Sequence, residues 1–167
     1  SLFVLPINNF CQCAGLYTKT SVCDIPNAAS QTVDLFGLLG GSPIAGGTWT
    51  DDDLSQGLDS TTGILNAQLI RKSGFYRFTY TVSGGPGCTD NSATITVAIG
   101  GYPGVSGPTG ATCTDANAYD LFHVFNGAFL SPQSNGKWYN STKGEPVVGS
   151  TINPKELGVG TYQFTYS

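Results

Sequence analysis

The chain has 167 residues with 7 Lys+Arg, 11 Asp+Glu and 1 His, and its formal net charge is -4. So few basic side chains exclude a nucleic-acid binder that depends on phosphate contacts. No apolar run approaches the ~18 residues of a membrane helix, so we expect no membrane insertion, and abundant Thr, Val, Tyr and Phe among 23 Gly and 9 Pro favour an all-β chain.

Alternating apolar and polar side chains predict short strands, because consecutive residues of a strand face opposite ways. The strongest pattern is FYRFTYTV, in which Tyr76, Phe78 and Tyr80 share one face. In chain order, the predicted strands lie at VDLFGLL (33–39), GTWT (47–50), ILNAQLI (64–70), FYRFTYTV (75–82) and ATITVAI (93–99). Strands this short and this closely spaced predict two packed sheets, an Ig-like Greek-key β-sandwich.

Motifs of the first half recur in the same order in the second half. VCD, VDLF, GTW and GFYRFTY are followed by TCTD, YDLF, GKW and GTYQFTY. The equivalent residues lie about 86 to 90 positions apart, as for Cys23 and Cys113, so the differences are loop-sized. The sequence therefore predicts an N-terminal extension at 1–20, a first Ig-like domain at 21–100, a Gly/Pro linker at 101–111 and an incomplete second domain at 112–167.

Four aromatic residues are assigned structural roles. Trp49 and Trp138 are expected to fill the space between the sheets of their domains. Tyr76 and Tyr162 follow a Gly by two residues, the spacing of a tyrosine corner, in which the phenol bonds to upstream backbone.

Five cysteines in a chain of low charge predict an oxidising, extracellular setting. Cys23 and Cys88 flank the strands of the first domain and are the predicted disulfide. Cys113 matches Cys23, but no counterpart of Cys88 is present in the second copy, so Cys11 and Cys13 are the candidates for an intermolecular bond to Cys113.

The second copy lacks the equivalent of CTDNSATITVAI, the cysteine and strand that end the first copy. Such a sandwich would expose an unpaired strand edge. The segment before the first copy contains an apolar strand-like run, Leu2, Phe3, Val4 and Leu5, which is the candidate donor strand for a neighbouring molecule. Head-to-tail copies of the chain would then form filaments. The alternative is a fragment of a longer protein, with flanking domains as its partners.

The order of Cys, Gly-x-Trp, Tyr-x-Phe-x-Tyr and Cys-then-strand resembles the Ig-like repeats of large secreted surface proteins and adhesins of gliding bacteria. The resemblance covers residues 22–99 well and 112–166 in part. It implies secretion to the cell surface and a role in adhesion, gliding or a structural layer.

The sequence gives only weak signals of catalysis, metal binding or glycan binding. His123 is the only histidine and no nucleophile or metalloprotease motif accompanies it, so no enzyme activity is expected. No cofactor is expected either, although Asp51 and Asp53 are weak candidates for a calcium site. Tyr102 and Tyr139 are the loop aromatics of an alternative function, binding of surface glycans.

Overall fold

A computed structural model describes residues 12–85, 87–88 and 90–167. The chain divides into two compact units. Unit 1 takes in the described residues up to Ile70 together with Gly74–Gly100, and unit 2 consists of Arg71–Ser73 and Gly101–Ser167.

Unit 1 contains two β-sheets. The strands are β1 Thr18–Val22, β2 Val33–Asp34, β3 Thr48–Asp51, β4 Leu58–Asp59, β5 Ile64–Leu65, β6 Gly74–Thr81 and β7 Ser92–Ile99. One sheet has the order β1-β7-β6-β3, in which β1 is parallel to β7 and the other pairs are antiparallel. The other sheet has the order β2-β5-β4 and is antiparallel.

Short helices interrupt two segments that were predicted as strands throughout. VDLFGLL is a strand only over β2, because the Asp34 side chain accepts a hydrogen bond from the Gly37 amide and starts helix α1, Leu35–Leu38. ILNAQLI is a strand only over β5, because Asn66 caps a 3₁₀ turn at Ala67–Leu69 in the same way. A further 3₁₀ turn lies at Ala28–Gln31.

The long strands of unit 1 follow the predicted alternation. On β7, Ala93, Ile95, Val97 and Ile99 are buried and the residues between them are less so. Opposite them on β6, Phe78 and Tyr80 are 0% and 2% exposed. This pair of strands therefore carries much of the core.

Unit 2 has shorter strands. They are β8 Tyr119–Asp120, β9 Trp138–Asn140, β10 Glu145–Val147, β11 Thr151–Ile152 and β12 Phe164–Tyr166, with a 3₁₀ helix at Leu121–Phe125 and helix α2 at Pro154–Leu157. One antiparallel sheet has the order β10-β9-β12 and the other pairs β11 with β8. The prediction of an all-β fold is confirmed for the described part of the chain.

The two units differ sharply in the size of their cores. Among the described residues, sixteen hydrophobic side chains are buried in unit 1 and three in unit 2, namely Leu121, Phe125 and Trp138. The burial of Trp49 and Trp138, each 5% exposed, agrees with their expected role as anchors. Because apolar burial is the main favourable term in folding, unit 2 is much less self-sufficient than unit 1.

The disulfide joins Cys13 to Cys88, not Cys23 to Cys88 as predicted, and Cys23 is free and exposed. The parallel pairing of β1 with β7 explains the difference. Cys88 precedes the start of β7, whereas Cys23 follows the end of β1, where Val22 pairs with Ile99. Strands rise about 3.3 Å per residue, so the length of β7 separates the two cysteines, far beyond the Cα spacing of a disulfide. Cys13, just before β1, lies at the correct end.

The first described residues belong to unit 1 and are not an extension. Cys13 and Ala14 are buried, Leu16 bridges to Gly40, and β1 begins at Thr18, before the predicted boundary at residue 21. Since Cys13 is bonded within the chain, it is no longer a candidate for an intermolecular bond to Cys113. Cys11 and the predicted donor residues 2–5 lie outside the described residues.

The predicted linker starts with a fixed contact. The Tyr102 amide donates to the side-chain oxygen of Gln133, and the Gln133 amide donates to the Tyr102 carbonyl, both at 2.9 Å. The Gly/Pro-rich segment therefore begins as a part of unit 2.

Candidate functional site

The two units share one aromatic arrangement, which allows their positions to be compared. In unit 1 the Tyr80 ring lies 5.0 Å from the Trp49 ring, and in unit 2 the Tyr166 ring lies 4.8 Å from the Trp138 ring. A phenylalanine packs edge-on against each tyrosine, at 5.4 Å in unit 1 and 5.2 Å in unit 2.

Each of these tyrosines also ties two backbone groups together. The Tyr80 hydroxyl donates to the Ile44 carbonyl at 2.7 Å and accepts from the Gly47 amide at 2.8 Å. The Tyr166 hydroxyl does the same with the Gln133 carbonyl and the Gly136 amide, at 2.5 and 2.9 Å. Sequence reasoning missed this role, although the shared Gly-x-Trp and Phe-x-Tyr spacings in both copies were a usable signal.

The tyrosine corner expected at Tyr162 is present two residues before β12. The Tyr162 hydroxyl donates to the Leu157 carbonyl, the upstream backbone link that the sequence predicts for this residue. Its counterpart Tyr76 is half-buried, and burial raises the pKa of its phenol, with Asp53 and Asp51 contributing further.

The outer edge of β12 is the candidate functional site. Lys137 and Ser167 exchange two hydrogen bonds, at 2.6 and 3.1 Å, and the Ser141 amide donates to the Gln163 carbonyl at 2.8 Å. In an antiparallel ladder these pairs alternate with pairs whose amides and carbonyls point the other way. The backbone groups of Phe164 and Tyr166 therefore point away from β9, and no strand of the described residues pairs with them.

The same edge is covered in unit 1. There β7 pairs with β6 along all eight residues, with Tyr80 opposite Ala93 and Phe78 opposite Ile95. The next strand, β1, pairs with the far side of β7. In unit 1, therefore, the strand that carries the equivalent tyrosine has a paired strand on both of its edges.

Burial confirms that unit 2 is open at these positions. Phe78, Tyr80, Leu65 and Ile70 of unit 1 are each at most 2% exposed. Their equivalents in unit 2 are only half-buried, and we call them the acceptor face: Ile152, Leu157, Phe164 and Tyr166. The acceptor face combines half-buried apolar surface with backbone groups that no strand of the described residues pairs, which are the two features that strand addition uses.

A buried polar group within the core of unit 2 has no partner among the described residues. The indole nitrogen of Trp138 is fully enclosed and makes no hydrogen bond. Such groups are rare in folded proteins, so the core of unit 2 is imperfectly satisfied as well as small.

The acidic run of unit 1 is occupied by internal contacts. Asp53 forms an ion pair with Arg77 at 2.8 Å, and the hydrogen bonds from Arg77 hold the pKa of the Asp53 carboxyl below its usual value. Asp52 accepts from the Thr79 hydroxyl at 2.6 Å, and Asp51 accepts from the Ser55 hydroxyl at 2.7 Å and its amide at 2.9 Å. In the part of the chain that is described, no group of three or more His, Cys, Asp or Glu residues could hold a metal ion.

The remaining predicted residues are scattered. His123 is exposed and its ring lies edge-on to Tyr119 at 5.9 Å. Tyr139 is 44% exposed on β9, while Tyr102 is half-buried beside Gln133. Cys113 is free and exposed, like its equivalent Cys23.

Comparisons with protein-family models, with curated proteins and with solved structures found no match for this chain. Within residues 12–85, 87–88 and 90–167, no helix is long and apolar enough to cross a membrane.

Proposed function

We propose that the chain is an extracellular structural or adhesive module, and that its second unit is completed by a β-strand supplied from outside that unit. The observation that carries this proposal is the edge of β12, which no strand of the described residues covers, beside the half-buried acceptor face. Exposed strand edges template pairing with another chain unless something covers them.

Both units are interpreted as Ig-like sandwiches. The orders β7-β6-β3 and β2-β5-β4 support this interpretation, since they match GFC and BED in the two sheets of that fold, whereas β1 lies beside β7 and not beside β2. Unit 2 keeps the counterparts of β2, β3, β5 and β6 as β8, β9, β11 and β12. Among its described residues, counterparts of β1 and β7 are missing, and β10, at the sequence position of β4, pairs with β9 and not with β11.

The energetic case for strand addition follows from what a seventh strand does in unit 1. It pairs with the whole edge of β6 and buries four apolar side chains. Fully burying one Val or Ile side chain contributes about 1.5–3 kcal/mol, and fixing the backbone of one residue costs about 1–2 kcal/mol. Each large inward side chain of a comparable strand on β12 would therefore offset the ordering of about one to two residues.

The extracellular setting is supported by the Cys13–Cys88 disulfide, since disulfides persist mainly in oxidising compartments. Strand exchange between copies of one chain is a heterologous contact that repeats head to tail, so it produces filaments when the repeat does not close into a ring. A flanking domain of a longer protein could supply the strand instead, and the module would then be one bead of a repeat adhesin.

The test is the mass and amide exchange of the full chain, purified with its disulfide intact. We expect light scattering to report masses that grow with concentration from 17.4 kDa, and negative-stain images to show chains of beads. In the assembly, the amides of Phe164 and Tyr166 should exchange slowly. A chain that stays monomeric, with both amides unprotected even in excess peptide of the β7 sequence (residues 91–100), would overturn the proposal.

A further inference from the structure

We infer that the strand completing unit 2 is residues 1–7 of a second copy of this chain, in one defined register. This inference rests on the proposed function and adds the identity and alignment of the donor. It also predicts which cysteine secures the exchange.

Unit 1 supplies the template for the register. Along β7 the residues that face the core read Ala93, Ile95, Val97 and Ile99, and they lie opposite Tyr80, Phe78, Tyr76 and Gly74. The equivalent positions of β12 and the residues before it are Tyr166, Phe164, Tyr162 and Gly160. A donor must therefore present a small residue opposite Tyr166 and large apolar residues at the next three alternate positions.

The N-terminal sequence SLFVLPI fits this template in one register. Ser1 lies opposite Tyr166 in place of Ala93, and Phe3, Leu5 and Ile7 take the places of Ile95, Val97 and Ile99. The pattern of one small and three large apolar residues is reproduced, with every inward position filled.

Proline decides between this register and the one shifted by a single residue. The Val82 amide donates to Asn91, so the residues of β7 that face the core also direct their amides toward β6. In the proposed register Pro6 replaces Ala98, whose amide points away from β6. The shifted register would place Pro6 opposite Tyr162, where an amide is needed and proline has none, and Leu2 against Tyr166.

A second copy is the occupant that this arrangement favours. Each copy has one donor segment, residues 1–7, and one edge of β12 that no strand of the described residues covers, so the donor of one molecule can pair with the edge of the next. The contact then repeats with every added subunit.

The register also brings two thiols together. In unit 1, Gly100 follows β7, its amide donates to Val22 at 2.8 Å, and a Cβ on it would lie 2.9 Å from the Cys23 Cα. Asn8 of the donor is the equivalent of Gly100, and Cys113 is the equivalent of Cys23 in sequence, although no strand like β1 precedes it among the described residues of unit 2. Cys11 is three residues beyond Asn8, a reach of about 10 Å.

An interchain disulfide between Cys11 and Cys113 is therefore expected. Each thiol loses one proton and one electron as the sulfur–sulfur bond forms. A disulfide oxidant such as oxidised glutathione accepts the two electrons and two protons and leaves as two thiols.

The first experiment compares inward and outward charge substitutions in the full chain. Phe3→Glu with Leu5→Glu should leave the protein monomeric over the whole concentration series, whereas Leu2→Glu with Val4→Glu should still assemble. The amides of Phe164 and Tyr166 should exchange roughly tenfold or more slowly in the assembling variant only. Equal loss in both variants, or loss in the outward variant alone, would overturn the register.

The second experiment follows covalent assembly in a glutathione redox buffer on non-reducing gels. Cys11→Ser and Cys113→Ser should each remove the ladder, whereas Cys23→Ser should keep it. A ladder that needs Cys23 would contradict the register.

The outcomes separate this inference from the proposed function. If the inward variant still assembles, or if only the added β7 peptide protects the two amides of β12, the donor is wrong but strand addition stands. If the wild-type chain is monomeric with both amides protected and the inward variant loses that protection, the donor acts within its own chain and the second-copy assignment fails. If nothing protects the amides, the proposed function itself fails.

Discussion

Removal of the Cys13–Cys88 disulfide should destabilise unit 1 by a large and calculable amount. The two residues are 75 positions apart in the sequence. Cross-linking a loop of that length removes denatured-state entropy worth about 4 kcal/mol at 25 °C. This is a large share of the roughly 5–15 kcal/mol that stabilises a typical domain. Substitution by alanine at both positions suits the site, because Cys13 is 1% exposed and alanine introduces no polar group there.

The assay is urea unfolding followed by tryptophan fluorescence. Each unit contains one buried tryptophan, so a Trp138→Phe background leaves Trp49 as the reporter of unit 1. With a slope of about 1–2 kcal/mol per molar urea, the loss corresponds to a midpoint lower by roughly 2–4 M. Reductant should reproduce this shift in the wild-type protein.

The control is the free thiol of unit 1. Cys23→Ala should leave the midpoint of unit 1 unchanged, because that side chain is exposed and unbonded. If Cys23→Ala shifts the midpoint as far as the double substitution does, or if the double substitution shifts it by less than about 0.5 M, the assigned connectivity is refuted. Mapping of disulfide-linked peptides gives an independent check.

Two further substitutions test the packing and the charge of unit 1. Gly63→Ala should destabilise the unit by roughly 2 kcal/mol or more, because a Cβ there would lie 2.3 Å from the Trp49 indole nitrogen at a φ of 73°. The control Gly85→Ala should be near neutral, because the space around its Cβ is open. Equal melting temperatures for the two variants would contradict this prediction. Asp53→Asn should destabilise the unit slightly at neutral pH, because pairing with Arg77 lowers the pKa of the carboxyl in the folded state. The stability that this ion pair contributes is present above the pKa of Asp53 in the unfolded chain and is lost as the pH falls through its pKa in the folded chain. The difference in unfolding free energy between Asp53→Asn and wild type should therefore vanish in urea titrations at acid pH. A difference that stays constant with pH would count against the ion pair.

Sequence periodicity located the long strands well. The predicted strands at 75–82 and 93–99 agree with β6 and β7 to within one residue at each end. Both carry bulky residues at alternate positions, and both are buried on one face only, which is where alternation is most informative.

The same reasoning failed where a side chain competes with the strand. Asp34 and Asn66 each accept a hydrogen bond from a nearby backbone amide and start a helical turn. Unit 2 repeats this behaviour at Asp120 and Asn153, which cap the helices that follow β8 and β11. An acidic or amide residue followed by apolar residues could have been recognised as a cap from the sequence.

Strand pairing was beyond the sequence. The pattern TKTSV gives no sign that β1 lies parallel to β7, because four of its five residues are polar and the pairing is long-range. The wrong disulfide was predicted because this parallel pairing was not recognised. With an antiparallel first strand, or none, Cys23 could still have been the partner of Cys88, whereas the parallel strand places Cys13 beside Cys88.

The two units make the same tyrosine contacts but bury the tyrosine to different extents. The Tyr166 hydroxyl keeps both of its backbone partners and its ring keeps its place against Trp138, as Tyr80 does with Trp49. Yet Tyr166 is half-buried where Tyr80 is 2% exposed. Residues near in sequence therefore suffice for the backbone and ring contacts of this tyrosine in both units. The fuller burial of Tyr80 accompanies its pairing with Ala93 across β6 and β7, and no strand of the described residues pairs with Tyr166 at that edge.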